Sequence, residues 1–208
     1  MIAPELVTDG PGPCLAWRFS EPMSAISSAP LGGGLGHRAW VVIWEVDPDY
    51  AHEDPETDVR RRAQALGLEG DGVGFLTAVS VAGAVAAEDD GVRVDATVGV
   101  ARPTWAAGPE GSHSHSIRTV GTINVVVQVP AALSDGALVN AIATVAEAKA
   151  QALGELGIAG TGTASDAACI LSRGEGPADP WGGPRSRWGS RIARSVHAAV
   201  LEGVRVWD

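Results

Sequence analysis

Apolar residues with a two-residue period predict several β-strands in the first two thirds of the chain. Residues 15–19 alternate in this way, and residues 39–46 are apolar on both faces, as expected of a central strand. Residues 73–87 predict one or two buried strands, and the turn-forming residues 88–91 lead from them into residues 92–100. In that last segment valine and alanine alternate strictly with polar or small residues, which predicts an antiparallel strand with one exposed face.

Three later segments combine helical periodicity with end signals, and strands lie between them. Residues 54–67 predict a short helix with an Asp-Pro start and a glycine stop. A long helix is predicted from Ser134 to Leu156, and a C-terminal helix over residues 186–204. Strands are predicted over 121–129 and 167–172. The expected fold is therefore α/β (mixed α+β), a single layered domain over residues 1–208 in which a mixed sheet carries a long central helix and a C-terminal helix.

Composition narrows the class of protein. The 208 residues carry a formal net charge of -10, which argues against a general nucleic-acid partner, because binding phosphates needs a concentrated basic surface. The most apolar stretch is shorter than the ~20 residues that a membrane-spanning helix needs, and the N-terminus lacks the pattern of a secretory signal. Two cysteines do not form a disulfide framework. We expect a cytoplasmic protein without a membrane partner, and the composition leaves a homo-oligomer open.

Lys149 is the only lysine among the 15 basic residues. A helical wheel places it near the centre of the apolar face of the long helix, whereas Glu147 falls on the opposite face. A buried ammonium without a partner is costly, so Lys149 should reach a carboxylate, a ligand or the edge of the core. A purely structural lysine, paired or lying along the core, is the alternative.

Two glycine-rich segments could let a backbone approach a ligand closely. Residues 27–36 contain three consecutive glycines but lack the Lys-Ser/Thr ending of a P-loop and the context of a dinucleotide fingerprint. Residues 160–166 connect the long helix to a strand. The plainer interpretations are a flexible turn and a helix-stop turn in which Asp166 makes a local hydrogen bond.

The irregular segment from about 101 to 118 contains His113 and His115 in an HxH arrangement, which some metal sites use. No third ligand is evident in the sequence, so a solvated loop is the alternative. A loop of this length in a small domain is usually functional or mobile.

Several of these segments, in this order, resemble the adenosylcobinamide amidohydrolase family of corrinoid salvage enzymes, over about residues 25–204. The matching segments are Ser27 to Gly34 (SSAPLGGG), Thr77-Ala78, Gly121-Thr122-Ile123-Asn124, Glu147-Ala148-Lys149, Thr161-Gly162-Thr163 with Ser165-Asp166, and Gly182-Gly183-Pro184. One departure is the segment after Gly99, where Arg102 precedes Pro103 and the family pattern has an asparagine.

The resemblance implies hydrolysis of the amide that joins a corrin side chain to aminopropanol, giving adenosylcobyric acid. It implies an adenosylated corrinoid as substrate and small-molecule partner, with no required cofactor. A non-catalytic corrinoid carrier or sensor is the alternative, and metal-dependent hydrolysis through His113 and His115 is a third.

Amide hydrolysis needs an attacking water or nucleophile, donors for the oxyanion and a proton for the leaving amine. The candidate catalytic residues are Lys149, Asp166, Asn124 and, with lower weight, Glu147. We expect Asn124, Lys149 and Asp166 to converge at one end of the sheet. The candidate substrate-binding residues are Ser27, Ser28, Gly32, Gly33, Gly34, Thr77, Thr122, Thr161 and Thr163. Trp105 and Trp181 are candidates for stacking on the corrin.

Overall fold

A mixed sheet of eight strands forms the centre of the computed structural model, which describes residues 1–109, 121–173 and 176–207. The strands are β1 (Glu5–Val7), β2 (Cys14–Ser27), β3 (Gly34–Glu45), β4 (Gly72–Thr77), β5 (Val85–Asp89), β6 (Val92–Val98), β7 (Ile123–Val129) and β8 (Ala167–Ser172). The helices are α1 (Pro55–Ala65), α2 (Asp135–Glu155) and α3 (Arg187–Trp207), with one 3-10 turn at Val81–Gly83. The strand order is β4-β3-β2-β8-β7-β6-β5, with β1 paired to β2.

The sheet is mixed because two of its strand pairs are joined by helices. Helix α1 connects β3 to its parallel neighbour β4, and α2 connects β7 to its parallel neighbour β8. The remaining neighbours are antiparallel. A parallel pair needs such a crossover, whereas antiparallel strands can be joined by short turns. The predicted class, with a long helix and a C-terminal helix on a mixed sheet, is confirmed.

Helices α2 and α3 pack on one face of the sheet and on each other. Their apolar stripes meet the odd-numbered residues of β7, including Ile123 and Val125, in the larger core cluster. Val126 points to the other face, where it packs with residues of β2, β3 and β4. The sheet curls around this second core, so that the Asn124 side chain on β7 donates to the backbone oxygen of Leu76 on β4, although three strands lie between them in the sheet order.

This curl corrects the prediction for β6, whose second face is buried rather than exposed. Asp95 and Thr97 lie on that face and are 3% and 0% exposed. Burial raises the pKa of the Asp95 carboxyl, and the Arg93 guanidinium, 2.6 Å away, opposes this by stabilising the charge. The alternating pattern therefore predicted the strand correctly, but the polar face of that strand is buried within the curled sheet.

Strand β2 is longer than predicted. It continues to Ser27 through an irregularity between Arg18 and Met23. The glycine-rich segment is thereby reduced to a short connection between β2 and β3, because β3 begins at Gly34 and pairs there with Ser27. In the described part of the chain, none of the helices has the length and apolar character needed to cross a membrane.

Candidate active site

Lys149 forms an ion pair with Asp166. Lys149 projects from the sheet-facing side of α2, and Asp166 lies on the segment that returns from α2 to β8. The lysine Nζ is 2.5 Å from Asp166 Oδ2, and the two side chains are 15% and 10% exposed. Of the three partners predicted for this inward-facing lysine, a carboxylate, a ligand or the edge of the core, the structure shows the carboxylate.

The Asp166 carboxylate accepts four hydrogen bonds. Its Oδ2 accepts from Lys149 Nζ and from the backbone N–H of Thr163, at 2.5 and 2.9 Å. Its Oδ1 accepts from the backbone N–H of Ile123 at 2.9 Å and from the Thr163 hydroxyl at 2.5 Å. The carboxylate is therefore held on both oxygens, and it anchors the start of β7 to the segment before β8 while it orients the lysine.

Gly162 has no side chain, and the ion pair occupies the space beside it. A Cβ at this position would lie 2.5 Å from Lys149 Nζ and would also collide with Asp166 Oδ2. The backbone of Gly162 does not have a positive φ, so the requirement for glycine is steric and not conformational. The glycine in the Thr161-Gly162-Thr163 segment is thus explained by the side chains packed against it.

A cleft of about 110 Å³ opens beside the ion pair. Its walls are mostly apolar and come from β7, α2 and the start of β8. Its polar side chains are Lys149, Asp166 and Ser28. A mostly apolar concave pocket with a few convergent polar groups is the usual form of a small-molecule binding site.

The other predicted hydroxyl groups have structural partners. Ser27 donates to the backbone oxygen of Ala168, Thr122 and Ser165 bond each other at 2.7 Å, and Thr161 accepts from the backbone N–H of Ala106. Thr77 lies on β4 and accepts from the N–H of Val79. Thr122 and Thr163 adjoin the ion-pair segment, whereas Thr77 follows Leu76, whose oxygen accepts from Asn124 on the other face of the sheet.

The Asn124 side chain does not converge with Lys149 and Asp166, contrary to the prediction. Its neighbour Ile123 bonds Asp166 through the backbone, but the Asn124 side chain points to the opposite face of the sheet because successive residues of a strand alternate. Glu147 is exposed on the outer side of α2, and within the described residues it forms neither a hydrogen bond nor an ion pair. The expected convergence therefore holds for Lys149 and Asp166 alone.

Gly32 and Gly33 of the β2–β3 connection, and Gly34 at the start of β3, lie apart from the ion pair. Gly32 and Gly33 line a separate cleft of about 490 Å³ with Arg38 and Trp40. Gly32 has a φ of +72° and sits against the backbone of Gly72, where no side chain would fit. Gly34 faces open space.

Two exposed tryptophans adjoin different parts of the structure. Trp105 is 60% exposed, and its neighbour Thr104 forms two backbone hydrogen bonds, to Gly162 and to Thr161. The backbone that precedes Trp105 is thus bonded to the segment that carries Gly162. Trp181 is 68% exposed and precedes Gly182, which packs against the first half of α2.

The buried Cys169 thiol does not supply a nucleophile to the site. Burial raises the pKa of the Cys169 thiol to about 12, so the thiolate nucleophile is suppressed. Among residues 1–109, 121–173 and 176–207, no three His, Cys, Asp or Glu side chains are grouped so that they could hold a metal ion. His113 and His115 lie outside the described residues.

Sequence reasoning did not single out Ser28 from the other hydroxyls, or Gly162 from its neighbours. Ser28 reaches the cleft because the end of β2 pairs with β8, about 140 residues further along the chain. A local pattern carries no signal for such a contact. The single-lysine count and the helical wheel, by contrast, were sufficient to find Lys149.

Comparison with known proteins places these features in a family. A family profile described as adenosylcobinamide amidohydrolase matches residues 5–208. A protein named adenosylcobinamide amidohydrolase from Methanosarcina mazei is 29% identical over 189 residues, which cover 86% of this chain and 89% of that protein. Another of the same name from Halobacterium salinarum is 33% identical over 161 residues, covering 74% and 69%.

One solved structure shares the fold. The crystal structure of the PH0078 protein from Pyrococcus horikoshii has a TM-score of 0.54, with 11% sequence identity, and the match covers 98% of this chain and 83% of that one. At this identity the likeness concerns the fold alone.

Proposed function

The chain belongs to the adenosylcobinamide amidohydrolase family, and we propose that the cleft beside Lys149 and Asp166 is its active site. The enzyme is a hydrolase of a carbon–nitrogen amide bond. Its reaction is the cleavage of the amide between aminopropanol and the corrin side chain, which yields adenosylcobyric acid. The observation that carries the assignment is a nearly buried ion pair on the wall of an open, largely apolar cleft.

Lys149 is suited to act on the amide directly. Within the described residues the Lys149 ammonium makes one hydrogen bond, to Asp166, so its other two N–H bonds can be directed to a group in the cleft. An ammonium there stabilises the negative charge that develops on the carbonyl oxygen during attack, and it can pass a proton to the leaving amine. Asp166 is a positioning residue, because its remaining lone pairs are already taken by Ile123 and Thr163.

The size of the cleft determines which part of the substrate enters it. A volume of about 110 Å³ accommodates an amide and its flanking methylenes but not a corrin macrocycle. The ring system must then lie over the mouth of the cleft. Trp105 offers an exposed aromatic surface, and the backbone that precedes it is bonded to the segment that carries Gly162, which supports its assignment to ring stacking.

We also propose that the enzyme works in the cytoplasm, without a metal or other cofactor and without a nucleic-acid partner. The proposal is tested by incubating the purified protein with adenosylcobinamide, with and without a chelator, and analysing the products by mass spectrometry. Formation of adenosylcobyric acid and aminopropanol in both samples is expected. Tight binding with no product would favour the carrier or sensor, and activity lost with the chelator would favour a metal.

A further inference from the structure

We propose that Ser28 is the nucleophile of this hydrolase and that the reaction passes through an ester between Ser28 and the corrin carboxyl group. This inference rests on the proposed function, because it assigns a covalent step to the same cleft. It goes beyond that function by choosing a side chain, and not water, as the group that first attacks the amide carbonyl.

Ser28 is fixed against the strand whose N-terminal segment carries Asp166. Its backbone N–H donates to the oxygen of Ala168 at 3.0 Å, and its Oγ accepts from the N–H of Ala168 at 3.1 Å. Ala168 follows Asp166 by two residues, so the two point to the same side of an extended chain. Ser28, Lys149 and Asp166 consequently line one cleft.

Ser28 is the hydroxyl residue that lines the cleft, and in the described part of the chain its hydroxyl proton is uncommitted. Ser28 Oγ only accepts there. Ser27 donates to Ala168, Thr163 donates to Asp166, and Thr122 is paired with Ser165. Ser28 is also exposed where Ser27 is 5% exposed, so a substrate can reach its oxygen.

The step balances with the groups that line the cleft. As the bond from Ser28 Oγ to the carbonyl carbon forms, the hydroxyl proton passes to Lys149 in exchange for the ammonium proton that Lys149 gives up, and Asp166, whose lone pairs are all occupied, holds the lysine in place. The proton from Lys149 goes to the amide nitrogen as the C–N bond breaks, and free aminopropanol leaves. Water then adds to the ester, the bond to Ser28 Oγ breaks, and the carboxylic acid and the serine hydroxyl are restored.

The most direct test is acid quenching of wild-type protein during turnover of adenosylcobinamide, followed by intact-mass and peptide analysis. The expected result is an adduct with the mass of the adenosylcobyryl acyl group on the peptide that contains Ser28. The Ser28→Ala variant should give no adduct and should lose at least about 10⁴-fold in kcat, as expected when a nucleophile is removed. Ser20→Ala is the matched control, because Ser20 is an exposed serine in the irregular part of the same strand.

A Ser28→Cys variant keeps the test valid if alanine impairs folding. It should retain some turnover, and iodoacetamide should abolish that turnover while leaving the wild type active, because both native cysteines are buried. The inference is overturned if Ser28→Ala keeps more than one tenth of the wild-type kcat with no adduct in either protein. Absence of product from the wild type would instead defeat the proposed function, so the two failures are distinguishable.

Discussion

Replacing Gly162 by alanine tests whether the geometry of the ion pair matters for catalysis. The added Cβ would stand 2.5 Å from Lys149 Nζ, whereas ordinary Cβ contacts begin at 3.4 Å, so the ammonium must retreat by about 0.9 Å. A misplacement of ~1 Å at reacting groups can cost ~10²-fold in rate. Because the added Cβ also falls against Asp166 Oδ2, which backbone N–H groups hold in place, the stability cost should be ~1–3 kcal/mol, the usual range for overpacking.

We therefore expect Gly162→Ala to lower kcat by roughly 10- to 100-fold while the protein stays folded. The assay is steady-state release of adenosylcobyric acid, with thermal unfolding followed in parallel. Gly154→Ala is the matched control, because Gly154 lies in α2 and its Cβ would meet nothing within 4 Å. That control should keep wild-type kcat and gain up to about 1 kcal/mol in stability. Wild-type kcat in a folded Gly162→Ala protein would refute the reasoning.

Three further outcomes are expected. Asp166→Asn should lower the free energy of unfolding by about 2–5 kcal/mol in denaturant titrations, since two donors lose their acceptor, and an unchanged midpoint would contradict this. Trp105→Ala should raise KM more than it lowers kcat, whereas Trp181→Ala should alter neither; equal effects of the two would contradict the stacking assignment. Cys169, with a thiol pKa of about 12, should resist iodoacetamide at pH 8 in the folded protein and react after unfolding, as read by mass spectrometry.

The sequence predicted the helices and strands and the inward position of Lys149, but it did not predict the curl of the sheet or the positions of Asn124 and Ser28. The spacing of apolar residues is a property of the local sequence, so it predicts α2, α3 and the strands directly. The curl of the sheet is not local, and it is the curl that buries Asp95 and Thr97 on a face predicted to be exposed.

Predicting the site depended on the same distinction. The wheel of α2 was enough to place Lys149 inward and Glu147 outward, and the structure agrees on both. Whether the Asn124 side chain lies near the ion pair depends on which face of β7 turns toward the helices. A shift of one residue along the strand moves a side chain to the opposite face. The position of Ser28 at the cleft depends on the pairing of β2 with β8. That pairing follows from the topology of the sheet and not from the residues next to Ser28 in the sequence.

The measurement that bears most directly on the central claim is single-turnover cleavage of adenosylcobinamide by a Lys149→Met protein. Methionine keeps most of the length and apolar stem of the lysine, and Asp166 retains three of its four hydrogen bonds, so the fold should persist. We predict that this variant still binds the corrinoid and releases no adenosylcobyric acid above background. Cleavage at the wild-type rate by the folded variant would contradict the assignment of Lys149 and Asp166 as the active site.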